Sequence, residues 1–335
     1  MNVTIYDSPQ VFDALEAEWN DLLARSYTHT LFGTWEWQKH WWDAYQEGML
    51  FVLAFRGEDR QLLGIAPFFI APEGDLRVLK LVGTEDVTDY LDLLIDREQA
   101  TSVLNCLAET LFAHRQHYDA LRLCNIPDGS PTLAVLADFL GAYDMSVTIT
   151  PHEVCPIIPL PTTYEAYFDM LDSKQARELR RKLRRAEGSG DMSWYIVGEA
   201  HDIHTELETF LHLMARSHPE KAKFLQDPRH VAFFKAFMPV AYAKGWLQLN
   251  FETVLDEPVA SYLNFDYGGE ILVYNSGLEP NKYGALSPGI VLLAHNIEHA
   301  IVQGRRAFNF LRGNENYKYL MGAQDTTIYQ LLATV

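Results

Sequence analysis

The stretch ILVYNSGLEPNKYGALSPGIVLLAHNIEHAIVQGRRAFNFLRGNENYKYLMGA, residues 271–323, decides the reading of this chain. A strand-like run at 271–274 passes through a Gly/Pro-rich loop into a helix that opens at Ser287-Pro288-Gly289. A second strand-like run, 307–311, ends in Arg312-Gly313 and is followed by Glu315, Tyr317, Lys318 and Tyr319. A helix start offers unpaired N–H groups and a partial positive charge, a combination that holds phosphate. Ser287 suits an N-cap, Pro288 the first turn, and Gly289 lets a ligand approach the backbone. Leu286, Ser287, Gly289 and Arg312 are the positions this frame offers to a phosphate-bearing ligand.

Working outward, 335 residues with 48% hydrophobic and 13% aromatic side chains suffice for about two packed domains. No run of about 20 uninterrupted apolar residues is present, so no transmembrane helix is expected. The first residues lack a basic region followed by an apolar run, so no signal peptide is expected. Cys106, Cys124 and Cys155 are widely spaced and form no CxxC pair. A cysteine-built zinc or redox site is therefore not expected, and a reducing cytoplasm is the simplest setting. The net charge of −18 argues against a general nucleic-acid binder. Residues 174–185, KQARELRRKLRR, run against that trend with seven basic residues and one acidic. This local +6 leaves −24 on the rest of the chain.

Hydrophobic periodicity lays out two similar halves. In the first, helices near 7–23 and 34–47 precede strands at 50–55, 62–70, 78–82 and 90–95. A helix at 99–116, a strand at 120–125, a helix at 131–143 and strands at 147–150 and 154–159 complete it. In the second, helices at 164–171 and 173–186, a strand at 192–197 and helices at 204–217 and 228–244 come first. Strands at 246–255, 258–267 and 270–274 follow. The helix 288–303, the strand 307–311, a helix near 315–321 and a strand at 326–333 close the chain. Pro156, Pro159 and Pro161 mark the boundary, giving domains 1–158 and 159–335.

The second half resembles the GNAT acyltransferase fold, and more narrowly the CelD-type, BioF-like acetyltransferases. The matching pieces are SGLEP (276–280), YGALSPG (283–289) and FNFLRGNENYKYLMGA (308–323). FGTWEWQKHWW (32–42) and VTDYLDLLI (87–95) extend the resemblance over nearly the whole chain. It is also related to the Fem-type peptidyltransferases, which pair two GNAT-like domains. The resemblance implies an α/β (α+β) chain of tandem GNAT-like domains, with mixed, mainly antiparallel sheets flanked by helices. It implies acetyl-CoA or another acyl-CoA as donor, and a role in polysaccharide or cell-envelope biosynthesis. The family's Gln/Arg-x-x-Gly-x-Gly/Ala loop is replaced here by Leu286-Ser287-Pro288-Gly289. The matching helix start in the first half, near 97–104, has no glycine, so that half is expected to be a degenerate scaffold.

Acyl transfer needs a base for the acceptor's proton, an acid for the leaving thiolate and donors for the oxyanion. Glu315 suits the base and Tyr317 or Tyr319 the acid; Arg312 or Lys318 suits a phosphate or carboxylate. These side chains could equally pack or pair at the surface. On the acceptor side, a small molecule or glycan, the candidates are Asp89, Tyr90 and Asp92, with Asn275 and Glu279 after the strand. Asp86 belongs to the same acidic run, and the basic helix adds Arg177 and Arg181. His218 and Lys221 lie in a segment that could cap a cleft between the halves.

His295-Asn296-Ile297-Glu298-His299 matches the H-x-x-E-H zinc pattern. No third ligand is identifiable and a helix laid on a sheet would turn both histidines outward, so no metal is expected. The tryptophan-rich helix reads as core rather than as a sugar platform. Two rival functions remain. An aminoacyl-tRNA-dependent peptidyltransferase would use the basic helix for RNA. A non-catalytic module would have lost donor binding along with the glycine loop.

Overall fold

Alternating Val3 and Ile5 form the first strand, β1 (Asn2–Tyr6), in the computed structural model of the chain, which describes residues 1–334, Glu85 by its backbone alone. Next come α1 (Gln10–Arg25), α2 (Trp35–Tyr45), β2 (Met49–Arg56), β3 (Leu62–Glu73) and β4 (Leu76–Leu81). They lead to α3 (Thr84–Val87), β5 (Leu94–Ile95), α4 (Ala100–Ala113), β6 (Ala120–Pro127), α5 (Ala137–Ala142) and β7 (Ser146–Pro159). After these lie α6 (Tyr164–Met170), α7 (Ser173–Ser189), β8 (Met192–Ile196), α8 (Ile203–Ser217), α9 (Pro219–Phe224) and α10 (Pro228–Ala243). The chain finishes with β9 (Leu247–Val254), β10 (Glu257–Tyr267), β11 (Glu270–Leu278), α11 (Pro288–Val302), β12 (Ala307–Asn309), α12 (Asn316–Leu320) and β13 (Gln324–Thr334). The chain divides into a unit of residues 1–154 with 326 onward, and a unit of residues 155–325.

In the first unit, β1, β2, β3 and β4 form an antiparallel meander. β4 pairs in parallel with β6, and β13 lies antiparallel on the far side of β6. Trp37, Trp41 and Trp42 of α2 are buried, as is Trp19 of α1, so these rings serve the core, while Trp35 is half-buried. The strand expected at 90–95 shrinks to β5, because this segment makes other bonds. The Leu91 amide donates to the Asn125 carbonyl at 3.0 Å. Asn125 in turn donates its side-chain amide to the Thr88 carbonyl at 2.7 Å. The two strands expected at 147–150 and 154–159 are one strand, β7.

In the second unit, β8, β9, β10 and β11 are successively antiparallel, and β11 pairs in parallel with β12. Ile157–Pro159 of β7 borders β12. Each unit is thus a mixed, mainly antiparallel sheet flanked by helices. α9 went unread, although His218 caps it by accepting from the Glu220 amide and Pro219 opens it.

α11 buries Leu292, Leu293, Ala294, Ile297, Ala300 and Ile301 against Ala260, Ile271, Val273 and Phe308. Full burial of one such Leu or Ile stabilises by roughly 1.5–3 kcal/mol. By length and composition, residues 284–302 also suffice to cross a membrane. Here that apolarity faces the unit's own core. A ladder of amides fixes the helix on the sheet: Gln248 donates to Asn296 at 3.0 Å and Asn296 donates to Asn250 at 2.8 Å.

Glu252, on the same face of β9 as Gln248 and Asn250, is 1% exposed, and its Oε2 has no partner. Burial raises its carboxyl from an ordinary 4.5 to about 8. The folded chain then keeps a proton that the unfolded chain loses, so stability falls as pH rises from about 4.5 to about 8 and levels off above. Glu252→Gln removes that slope and stabilises the chain at pH 8.5 by an amount on the order of a few kcal/mol. Urea denaturation of both proteins at pH 5 and 8.5 checks this; equal slopes would show that Glu252 is not the group responsible.

Candidate active site

β11 and β12 pair only from Glu270 to Leu272, opposite Ala307 to Asn309. β11 runs on to Leu278, and a bulge opposite Leu263 and Asn264 shifts its register. The strands therefore share one end and part company beyond it. The 279–287 loop then leads into α11. Tyr283 and Ser287 both take left-handed backbone angles, φ 55° in each case. For non-glycine residues this costs on the order of 1–3 kcal/mol, and neighbouring contacts must hold it. Two contacts from α7 do so. Lys182 donates to the Ser287 hydroxyl at 2.9 Å, and Arg185 donates to the Ala285 carbonyl at 3.0 Å.

Ser287 therefore does not cap α11 with its side chain, as its residue type suggested. Its hydroxyl is turned to Lys182, while its carbonyl accepts the Ile290 and Val291 amides at 3.0 Å each. The Leu286 and Ser287 amides bond back inside the turn, to Tyr283 and Gly284. Pro288 has no N–H. Among the described residues, Gly289 is the one position of 286–291 whose amide lacks a backbone acceptor. A Cβ at Gly289 would meet only Leu278 Cδ1, at an ordinary 3.6 Å. Packing does not require the glycine, so the space is available to something else.

A cavity of about 350 Å³ lies at this helix start, lined by Tyr262, Leu278, Lys282, Ser287, Gly289 and Tyr317 among others. A second, of about 470 Å³, lies between α7 and α12 and includes Lys182, Ile290 and Tyr317. The two share Ile290 and Tyr317. The Tyr317 ring meets Phe310 edge-on at 6.0 Å, and its hydroxyl makes no hydrogen bond among the described residues. Burial, then the neighbouring Tyr262 and Glu315, raise that hydroxyl far above the usual phenol range. Burial does the same to Tyr262. Both phenols stay protonated at neutral pH.

Lys318 is buried, and its ammonium donates to the Arg312 carbonyl at 2.7 Å and the Gly313 carbonyl at 3.0 Å. It also pairs with Glu315 at 2.9 Å. Lys318 is thus a strut for the turn after β12 rather than a free cation. Gly313 has φ 106°, and a Cβ there would lie 2.5 Å from Glu315 Oε2, so this turn needs glycine. Tyr319 donates to Asp325 at 2.8 Å. Lys221 of α9 reaches β11, donating to the Ser276 carbonyl at 2.6 Å and hydroxyl at 3.1 Å. Burial lowers its ammonium to about 8, against an opposing pull from Glu315.

The remaining candidates have other partners. Asn275 accepts from the Ser276 amide at 2.8 Å. Glu279 pairs with Arg216 at 2.6 Å, and that bond lowers its carboxyl. Arg177 donates to the Ser173 carbonyl at 3.0 Å, and Arg181 pairs with Glu178. In the first unit, Asp92 is enclosed by the Thr28 and Thr132 hydroxyls and the Leu93 amide. Burial raises its carboxyl, and hydrogen bonds from Ser130, Thr132 and Thr28 oppose this. Asp89 is buried, and Tyr90 packs on Phe32 at 6.3 Å. His295 stacks on Trp194 at 5.1 Å, and His299 meets the same ring edge-on at 6.4 Å, so both histidines face β8 rather than outward.

Lys182, Arg185 and Tyr262 were not singled out in the sequence. The apolar stripe of α7 could have found Lys182. Ala176, Leu179 and Ala186 are the buried positions, and Lys182 lies three residues after Leu179 on that face. Arg177 and Arg181 lie off it.

Residues 173–319 match the family described as Acetyltransferase (GNAT) domain. No curated protein sequence matches the chain. Among solved structures, the chain is similar to FemX, with a TM-score of 0.67 and 10% identity over 98% of this chain and 97% of that one. It is also similar to a conserved protein of unknown function from Bacteroides thetaiotaomicron (TM-score 0.58, 12% identity, all of both chains). A third is L-PGS from Bacillus licheniformis (TM-score 0.56, 12% identity, 98% of this chain and 92% of that one). At such identities these are likenesses of fold. The family match falls on the segment that carries the strand–helix–strand frame, the basic helix and Tyr317. Residues 173–319 carry a domain of the acetyltransferase (GNAT) family, on a fold similar to that of FemX.

Proposed function

We propose that this chain moves an acetyl or other acyl group from acyl-CoA to an amine or hydroxyl of a small-molecule or glycan acceptor, in polysaccharide or cell-envelope biosynthesis. The observation that carries the reading is the helix start of α11. The open Gly289 position and Tyr317 line one cavity there, and Lys182 bonds to Ser287 on its wall. The donor's phosphates would bind at Gly289 and Lys182, an amide and an ammonium. Tyr317, held protonated by burial, is fit to give a proton to the departing thiolate. Glu315, exposed and steered toward Gly313 by Lys318, is fit to receive the acceptor's proton, directly or through water.

Titration calorimetry with CoA and acetyl-CoA tests donor binding. Saturable binding is expected, Gly289→Glu abolishing it by filling the space with like charge, and Lys182→Ala weakening it about tenfold. No binding at millimolar ligand would sink the reading and favour a non-catalytic module.

Tyr317→Phe keeps the ring and removes the proton. It should lower kcat by about 10²-fold or more with little change in the donor's KM. Unchanged kcat would move the acid elsewhere.

One observation supports aminoacyl-tRNA as an alternative donor. The exposed Arg177 and Arg184 bond only to carbonyls of their own helix, at 3.0 and 3.3 Å, so their charges are uncompensated. On that reading tRNA binds with an affinity that falls steeply with salt, and Arg177→Glu with Arg184→Glu flattens the slope by about two ions. Affinity independent of salt would remove it.

A further inference from the structure

The cavity of about 470 Å³ between α7 and α12 has a chemistry of its own. Leu179, Ile290, Leu320 and Met321 form its apolar lining. Leu320 is 48% exposed, an uncovered leucine on the wall of a groove. Asp172, Lys174, Glu178 and Lys182 bring charge to the same cavity. Both carboxylates are already engaged. Asp172 caps α7, accepting the Lys174 and Gln175 amides at 2.8 and 2.9 Å. Glu178 takes two bonds from Arg181, at 2.8 and 2.6 Å. Lys182 donates to Ser287 at 2.9 Å and lies 3.8 Å from Glu178. Lys174 is exposed, and its ammonium has no partner among the described residues. The result is an apolar trough beside one ammonium, that of Lys174, which has neither a hydrogen bond nor an ion pair among the described residues.

We propose that this groove binds an amphipathic anion. A linear alkyl or acyl chain lies along Leu179, Ile290, Leu320 and Met321, and a carboxylate or phosphate head meets Lys174. A neutral or cationic head leaves that ammonium unmatched, and a head without a chain leaves the trough wet. The groove shares Tyr317 with the cavity at the α11 start. The bound molecule's identity as the acyl acceptor therefore rests on the acyl-transfer reading, whereas its binding does not.

Calorimetry with the full chain, in the absence of CoA, uses butyl, hexyl and octyl phosphate as probes below their micellar concentrations. Binding tightens with chain length, by up to about fourfold per methylene, the value for one CH₂ removed from water. Octyl phosphate binds at least about tenfold more tightly than octyltrimethylammonium or inorganic phosphate. Leu320→Asp and Lys174→Glu, both at exposed positions, each weaken octyl phosphate about tenfold or more without changing the melting temperature. Equal affinity for the cationic and anionic amphiphiles, no dependence on chain length, or wild-type binding by both variants overturns the proposal. Repeating the titration with CoA separates the two readings. Octyl phosphate bound by a chain that ignores CoA leaves the groove standing and removes the donor site. CoA bound by a chain that ignores octyl phosphate overturns the groove alone.

Discussion

The hydrogen bond from Lys182 to the Ser287 hydroxyl sets the form of the site, because it takes that hydroxyl away from helix capping. A serine before Pro288 would ordinarily sit in extended backbone and accept a first-turn amide. Here it takes a left-handed conformation, and its carbonyl gathers the Ile290 and Val291 amides instead. The helix start thereby satisfies most of its own donors. Little of its positive end is left for a ligand beyond the Gly289 amide. On the proposed reading, the charge for a donor's phosphates comes from α7, which also supplies the Arg185 bond that steadies the loop. Helix start and basic helix are joined by these two bonds into one device.

That device is only as rigid as α11, and α11 is fixed in two ways. Its apolar stripe supplies most of the stabilising burial, but apolar contact tolerates small slips along the axis. The Gln248–Asn296–Asn250 ladder does not, since a shifted helix would leave buried amides unpaired. Beside that ladder, Glu252 is a buried carboxyl with an oxygen lacking a partner, a local cost carried by the surrounding core.

Much of the fold was legible because amphipathic period and turn chemistry agree along the second half. The segments that misled are those whose backbone bonds go to side chains or distant carbonyls. Residues 90–95 alternate like a strand, yet Asn125 and the hydroxyls around Asp92 take up their polar groups. The site was legible as a region and less so residue by residue. Spacing identified the loop, α7 and the run after β12. It could not say that Lys318 would turn inward to carbonyls, because a lysine's reach covers several partners. Nor could it show that Lys182 meets the loop while Arg177 and Arg181 stay on the surface; that depends on the rotation of α7, which only its buried stripe reveals.

The proposed proton chemistry rests on burial more than on residue type. Tyrosine is a weak acid at any exposed position, and a carboxylate a weak base. Between the two cavities Tyr317 is desolvated, without a hydrogen bond, and near an acidic neighbour, all of which oppose a phenolate. On the proposed acyl-CoA reading, a departing thiolate beside it would meet a donor that is protonated across the neutral range. Glu315 is exposed and pairs with a buried ammonium that three backbone carbonyls within 3.5 Å already surround. In the acyl transfer proposed above, the two roles are separated by solvation, Tyr317 dry as the acid and Glu315 exposed as the base.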